Sequence, residues 1–143
     1  MRPAEDEILL ALARTVVGVA TRAADQLGRL SVVQLRALTV LRALDGPNLG
    51  RLAAGMGVTL STASRLVDRL VSAGLVDRRL SPRSRRELTL TVTPAGQAIL
   101  DRYDDLRLAD MKLLLERLPE DRRPDAVAVL DQLAGSTAPG TAP

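Results

Sequence analysis

Between Asn48 and Val92 the sequence is cut by capping residues and glycines into pieces that suit two small helices and a hairpin, in that order. Asn48 stands before Leu49, Leu52, Ala53 and Met56, whose i, i+3, i+4, i+7 spacing makes one apolar helix face. Gly57 supplies a turn, and Thr59 caps a second helix that ends near Ala73, with Gly74 just past its end. At about 100° per residue, Ala63, Leu66, Val67 and Leu70 fall on one face of this second helix. Ser61, Ser64, Arg65 and Asp68 fall on the opposite face, so one side packs and the other is free to read a ligand. Residues 75–80 and 88–92 have strand character, the latter alternating Leu88, Leu90 and Val92 with Thr89 and Thr91. Ser81-Pro82-Arg83-Ser84 between them is turn chemistry.

Helices flank this unit. From Ala4 to Leu27 no proline interrupts a helical spacing of Ile8, Leu9, Leu12, Val16 and Val19, and Gly28 is placed as a C-terminal cap. Ser31-Val32-Val33-Gln34 is a capping box that opens another helix, which stops before Asp45-Gly46-Pro47. Thr93-Pro94 is an N-cap followed by proline at the first helical position, and the helix it opens is expected to reach Leu118 before Pro119. A last helix is expected over 123–134, starting or kinking at Pro124. The small and polar residues 135–143 are expected to be a disordered tail. The fold class is therefore mainly α, with a winged helix-turn-helix at 31–93 and a two-stranded β wing, all within one domain over 1–134.

Composition excludes most other chemistry. The chain has no Cys and no His, which removes disulfides, thiol redox switching, the ordinary zinc and copper ligand sets, and most nucleophile and general-base arrangements. No metal, no cofactor and no catalytic residue is expected. A small hydrolase or transferase would have to rely on serines without histidine, or on Lys112, the only lysine among 20 basic residues. Asp101, Asp104, Asp105 and Asp110 are read as a solvated helix face rather than a cation site, and Tyr103, the lone aromatic, as a packed residue without a site role. With no long apolar run and with Glu5, Asp6 and Glu7 near the start, neither a membrane span nor a signal peptide is expected, and the location is read as cytoplasmic.

Net charge is only +3, but its distribution is uneven. Residues 45–93 hold eight basic and four acidic side chains, whereas 94–143 hold six and nine. A helix about 10–12 Å wide fits the major groove of B-DNA, and short polar side chains near its start allow close approach to base edges. Ser61, Thr62 and Ser64 are such residues, and Arg65 is the candidate for a bidentate contact to guanine. Arg69 lies to the side, where a phosphate is the natural partner. Arg83, Arg85 and Arg86 crowd the hairpin, placed for an adjoining minor groove. Asp68 would itself be repelled by DNA, so it is expected to hold a wing arginine, Arg86.

The run VTLSTASRLVDRLVSAGLVDRRLSPRSRRELTLTVTPAG resembles the recognition helix and wing of the MarR (multiple antibiotic resistance regulator) family, above all in SRLVDRL-x3-GLV, the arginine pair and T-P-x-G. The resemblance covers about residues 30–96, including LSVVQLRAL and LGRLAAGMGV. Where the family usually has a D-P-x-D-R-R wing turn, Ser81 and Ser84 replace the acids here, leaving the wing more positive. The resemblance implies a homodimer joined through N- and C-terminal helices, here 4–30 and 95–134. It also implies a regulator, commonly a repressor, that binds double-stranded DNA at a pseudo-palindromic operator and is released by a small aromatic or phenolic effector. The aliphatic surface of the first helix and of the last two independently exceeds what one winged helix covers. In such a dimer the recognition helices would meet successive major grooves about 34–36 Å apart. The competing reading is a winged-helix protein-interaction module without DNA binding.

Overall fold

A computed structural model describes residues 1–81 and 83–136, without the side chains of Arg85 and Ser136. The elements are α1 (Ala4–Leu27), α2 (Val32–Leu44), α3 (Leu49–Met56), α4 (Leu60–Ser72), β1 (Val76–Ser81), β2 (Ser84–Val92), α5 (Pro94–Leu115) and α6 (Arg123–Ser136). Contacts group the chain into two compact units, Met1–Arg107 and the residues from Leu108 onward.

In the first unit the caps act where the sequence puts them. Ser31 accepts the Gln34 N–H at 3.2 Å while the Gln34 side chain accepts the Ser31 N–H at 2.9 Å, so two otherwise orphaned amides at the start of α2 are satisfied reciprocally. Asn48 accepts the Arg51 N–H at 2.8 Å and Thr59 the Thr62 N–H at 3.2 Å, opening α3 and α4. Gly57, between these two helices, has φ +68°, a conformation that a side chain would strain. The core is aliphatic: Leu38 and Leu41 of α2, Leu52 and Met56 of α3, and Val67 and Leu70 of α4 meet Val76, Leu90 and Leu100. A smaller cluster joins Ala23 and Ala24 of α1 to Leu35 and to Tyr103, which is buried as a packed residue. In the first half of α1 no residue is buried, and Ile8, Leu9, Leu12, Val16 and Val17 are exposed along the helix.

β1 and β2 form one antiparallel pair, with Val76 opposite Val92 and Leu80 opposite Leu88. Ser81 opposes Ser84 at the tip, leaving three residues of β2 between the partners of Leu80 and Ser81. The second strand thus starts four residues earlier than alternation alone indicates, because Arg85, Arg86 and Glu87 ride on a bulge. Thr93 locks the hairpin to α5: its hydroxyl donates to the Gly74 carbonyl at 2.7 Å and accepts the Gly96 N–H at 3.1 Å. Gly96 explains the T-P-x-G signature sterically. A Cβ there would lie 2.8 Å from a Val92 methyl and closer still to the Leu75 carbonyl oxygen.

Helix α2 is tied to α5 by charge. Arg42 donates to Asp104 at 2.7 Å and approaches Asp101 at 3.6 Å, while Arg107 donates to Asp104 at 2.6 Å and stacks 4.0 Å from the centre of the Tyr103 ring. Asp104 is therefore more than part of a solvated acidic face. Burial by itself would push its carboxyl up, but the hydrogen bonds and charges of Arg42 and Arg107 outweigh that and hold it below the ordinary aspartate value.

In the second unit, α5 ends at Leu115 rather than Leu118, and the Arg117 and Leu118 amides bond three residues back to Leu114 and Leu115. A 3₁₀ turn, Glu120–Arg122, leads into α6, whose Pro124 sits in the first turn, where a missing N–H costs nothing. Gly135 and Ser136 belong to α6, and the rest of the expected tail, 137–143, lies outside the described residues. No described residue of this unit is buried, and Leu113, Val127, Val129 and Leu133 are exposed. Among the described residues no helix is long and apolar enough to cross a membrane, and no group of candidate metal ligands occurs.

Two outcomes follow from this packing. Gly96→Ala should destabilise the chain by about 1–3 kcal/mol, read as a lower urea midpoint, because the backbone of Leu75 cannot move aside cheaply. Asp104, with its folded-state value depressed, adds stability that is complete above the range where a free aspartate ionises, about pH 4, and is lost as the pH falls through the folded-state value. Asp104→Asn should flatten the acid limb of the stability profile below about pH 4 in urea titrations.

Candidate nucleic-acid interface

Helix α4 is oriented by what it buries. Ala63, Leu66, Val67 and Leu70 are all less than 8% exposed, which fixes the helix's rotation about its axis and turns Ser61, Arg65, Asp68 and Arg69 outward. Thr62 and Ser64 are half-buried. The Thr59 hydroxyl lies 3.2 Å from that of Ser61 and 3.0 Å from that of Thr62, so these first-turn hydroxyls form a small cluster over the capped end of the helix. Thr62, Arg65, Leu66 and Arg69 line one shallow notch along the exposed side. Arg65 and Arg69 make no ion pair among the described residues.

The wing carries the second group of cations. Arg83 and Arg86 are exposed and also have no ion pair among the described residues, while the backbone of Arg85 lies in β2 and its side chain is outside the description. Two serines stabilise the tip through its backbone. Ser81 Oγ accepts the Arg83 N–H at 3.2 Å and Ser84 Oγ accepts the Arg86 N–H at 3.3 Å.

Asp68 does hold an arginine of the hairpin, but it is Arg78 of β1 and not Arg86. Arg78 lies near the base of the hairpin, beside the end of α4, whereas Arg86 rides on the bulge near the tip. The sequence contained the signal, since Arg78 follows the helix after the short Gly74 turn, but the register of β1 was needed to choose between the two. Arg79, paired with Asp77 at 3.4 Å, is a further wing cation absent from the sequence-derived set. Two more bonds join β2 to the segment before α3: the Leu90 N–H donates to the Pro47 carbonyl at 2.9 Å, and Asn48 Nδ2 donates to Glu87 at 2.6 Å. The exposed side of α4 and the arginine-bearing hairpin thus belong to one framework.

Comparison with known proteins agrees with this geometry. Residues 30–88 match the model of the MarR family. The match runs from just before α2 into β2, so it takes in the helix-turn-helix and most of its wing. Among solved structures it is similar to RV1404 from Mycobacterium tuberculosis, at 29% identity and TM-score 0.79, over 94% of this chain and 97% of that one. It is also similar in fold to wild-type MarR from E. coli without ligand, at 23% identity and TM-score 0.73, covering 97% of this chain and 99% of that one. A third similar fold is an S. aureus MepR mutant bound to an oligodeoxyribonucleotide, at 18% identity and TM-score 0.67, covering 94% and 99%. No curated protein sequence matches the chain. The winged helix-turn-helix fold expected from the sequence is thus present, with α3 and α4 as its helix pair and β1 and β2 as its wing.

The ion pair between Asp68 and Arg78 is more than a third exposed on both sides, so its contribution to global stability is small. Its consequence should be local. Asp68→Ala is expected to shift the chain's melting temperature by only about 1–3 °C while raising amide hydrogen exchange across β1, read by mass spectrometry.

Proposed function

We propose that this chain is a sequence-specific, double-stranded-DNA-binding transcriptional regulator that acts as a homodimer on a pseudo-palindromic operator, in the role of a repressor released by a small aromatic or phenolic effector. The observation that carries the DNA-binding part is the outward face of α4. It sets Arg65 and Arg69, which make no ion pair among the described residues, behind a start of short hydroxyl side chains and beside an arginine-bearing hairpin. In this reading Arg65 contacts a base edge, with Ser61, Thr62 and Ser64 admitting the backbone close to the groove floor. Arg69 meets a phosphate, and Arg83, Arg85 and Arg86 meet the flanking minor groove or its phosphates. The oligonucleotide complex of the similarly folded MepR mutant supports the reading.

The homodimer is supported by exposed apolar side chains in each unit, Ile8, Leu9, Leu12, Val16 and Val17 along α1 in the first and Val127, Val129 and Leu130 along α6 in the second. A lone chain would present these aliphatic surfaces to water, and two-fold association is the common way of covering such faces. Repression and effector release rest on the family resemblance.

The test is a mobility shift with duplex DNA taken from upstream of the protein's own coding region, compared with random-sequence duplex across a salt series and with added phenolic ligands. Wild-type protein should prefer the upstream duplex, and its affinity should fall steeply with salt. Arg65→Ala should remove most of that preference, costing about 1–3 kcal/mol on the upstream duplex. Arg83→Ala should weaken binding to both duplexes by similar factors and reduce the salt slope. Equal losses on both duplexes for Arg65→Ala would remove its base contact, and wild-type binding without salt dependence would favour a protein-interaction module.

A further inference from the structure

The wing contains a residue that charge alone would not place there. Between Arg78 and Thr93 the sequence carries five arginines and a single acid, Glu87, on the bulged part of β2. If the hairpin meets DNA, an exposed carboxylate amid those arginines opposes the approach of phosphates. The structure shows what it does instead. Glu87 Oε1 accepts a hydrogen bond of 2.6 Å from Asn48 Nδ2, and the same Asn48 side chain, through Oδ1, accepts the Arg51 N–H that opens α3. One amide thus caps a helix with its oxygen and holds the wing with its nitrogen. The bond lies among the residues lining a cleft of about 470 Å³ between the start of α3 and the distal hairpin, which also includes Arg51 and Arg83. Closer to the hairpin base, β2 is attached through Leu90 to Pro47, and β1 through Arg78 to Asp68. A two-stranded hairpin is marginally stable by itself, so its distal part takes its position from whatever attachment lies farthest out. On β2 that attachment is Glu87.

We propose that Glu87 is a positioning residue for DNA binding, the acceptor of a strut from the N-cap of the first helix of the helix-turn-helix to the wing. It sets where Arg83 and Arg86 stand relative to α4. This rests on the DNA-binding reading and adds to it a residue whose own charge disfavours DNA. Asn48 has the matching role: its amide couples helix start and wing, where an aspartate would cap the helix equally well but lack the donor.

That difference supplies the test. Full-length variants are titrated with the upstream duplex and with random-sequence duplex, and the free proteins are examined by amide hydrogen exchange over residues 79–90. Asn48→Asp keeps the cap and sets carboxylate against carboxylate. It should raise exchange in the wing and weaken binding to both duplexes by about threefold to tenfold. Glu87→Gln keeps an acceptor for the Asn48 amide and removes the repulsion, so it should bind both duplexes more tightly than wild type by about threefold. Glu87→Ala removes both charge and strut and should lose that gain, with raised exchange in the wing. The double variant Asn48→Asp with Glu87→Gln rebuilds the bond with donor and acceptor exchanged. It should restore wild-type exchange and recover the affinity that Asn48→Asp alone loses.

Equal tightening by Glu87→Ala and Glu87→Gln would reduce Glu87 to a bystander charge and overturn the proposal. So would a double variant no better than Asn48→Asp in either measurement, or changed exchange without changed affinity. Wild-type protein that binds neither duplex would overturn the DNA-binding reading itself, and the positioning role with it. Wild-type binding with no separation among the variants overturns the strut alone.

Discussion

The rotation of α4 about its own axis is the constraint on which the interface depends. Leu66, Val67 and Leu70 enter a core shared with Leu38, Leu41 and Leu52, and each such side chain contributes about 1.5–3 kcal/mol by leaving water. A turn of α4 by one residue would exchange buried leucines for Arg65 and Arg69, at a cost far larger than any single surface contact returns. The polar face is thus held outward by the apolar face behind it. No hydrogen bond to Arg65 is required to present it. The aliphatic make-up of the cluster that α4 enters suits this task, since leucine and valine interdigitate in well-defined rotamers and bring no polar side-chain atom that would need a partner.

The hairpin obeys a different logic. Its base shares the core through Val76 and Leu90, but the tip extends past the last buried residue and is held by polar attachments. Arg78 is tied to Asp68, the Leu90 amide to the Pro47 carbonyl, and Glu87 to Asn48, the first joining the wing to α4 and the other two joining it to the segment before α3. The Arg78 and Glu87 bonds are exposed and individually weak, whereas the Leu90 bond lies between two buried residues. The Thr93 and Gly96 junction is the close-packed counterpart, where a threonine hydroxyl and a missing side chain bring the start of α5 directly against Gly74 and Leu75, just before β1.

Much of this was legible in the chain itself. Ser31, Asn48 and Thr59 announced three helix starts because a side-chain oxygen satisfies an amide two or three residues ahead, and such partners are fixed by sequence spacing alone. The buried and exposed faces of α4 followed from the 3.6-residue repeat in the same way. The start of β2 did not, because alternation is interrupted where Arg85, Arg86 and Glu87 bulge away from the ladder. The partner of Asp68 was misjudged for a related reason. Either of two arginines was chemically suitable, and only the path of the strand brought Arg78 to it.

Local order and chemical inventory, then, were written in the sequence: which segments are helical, which faces are apolar, where the arginines cluster, and that Cys and His are absent. Tertiary structure decided the pairings between distant residues, namely Asp68 with Arg78, Arg42 with Asp104, Asn48 with Glu87 and Gly96 against Leu75. The reason lies in the range of the forces. Capping and helical periodicity act within one or two turns and leave a local trace, whereas an ion pair or a close backbone approach across ten to sixty positions depends on how every intervening element is packed.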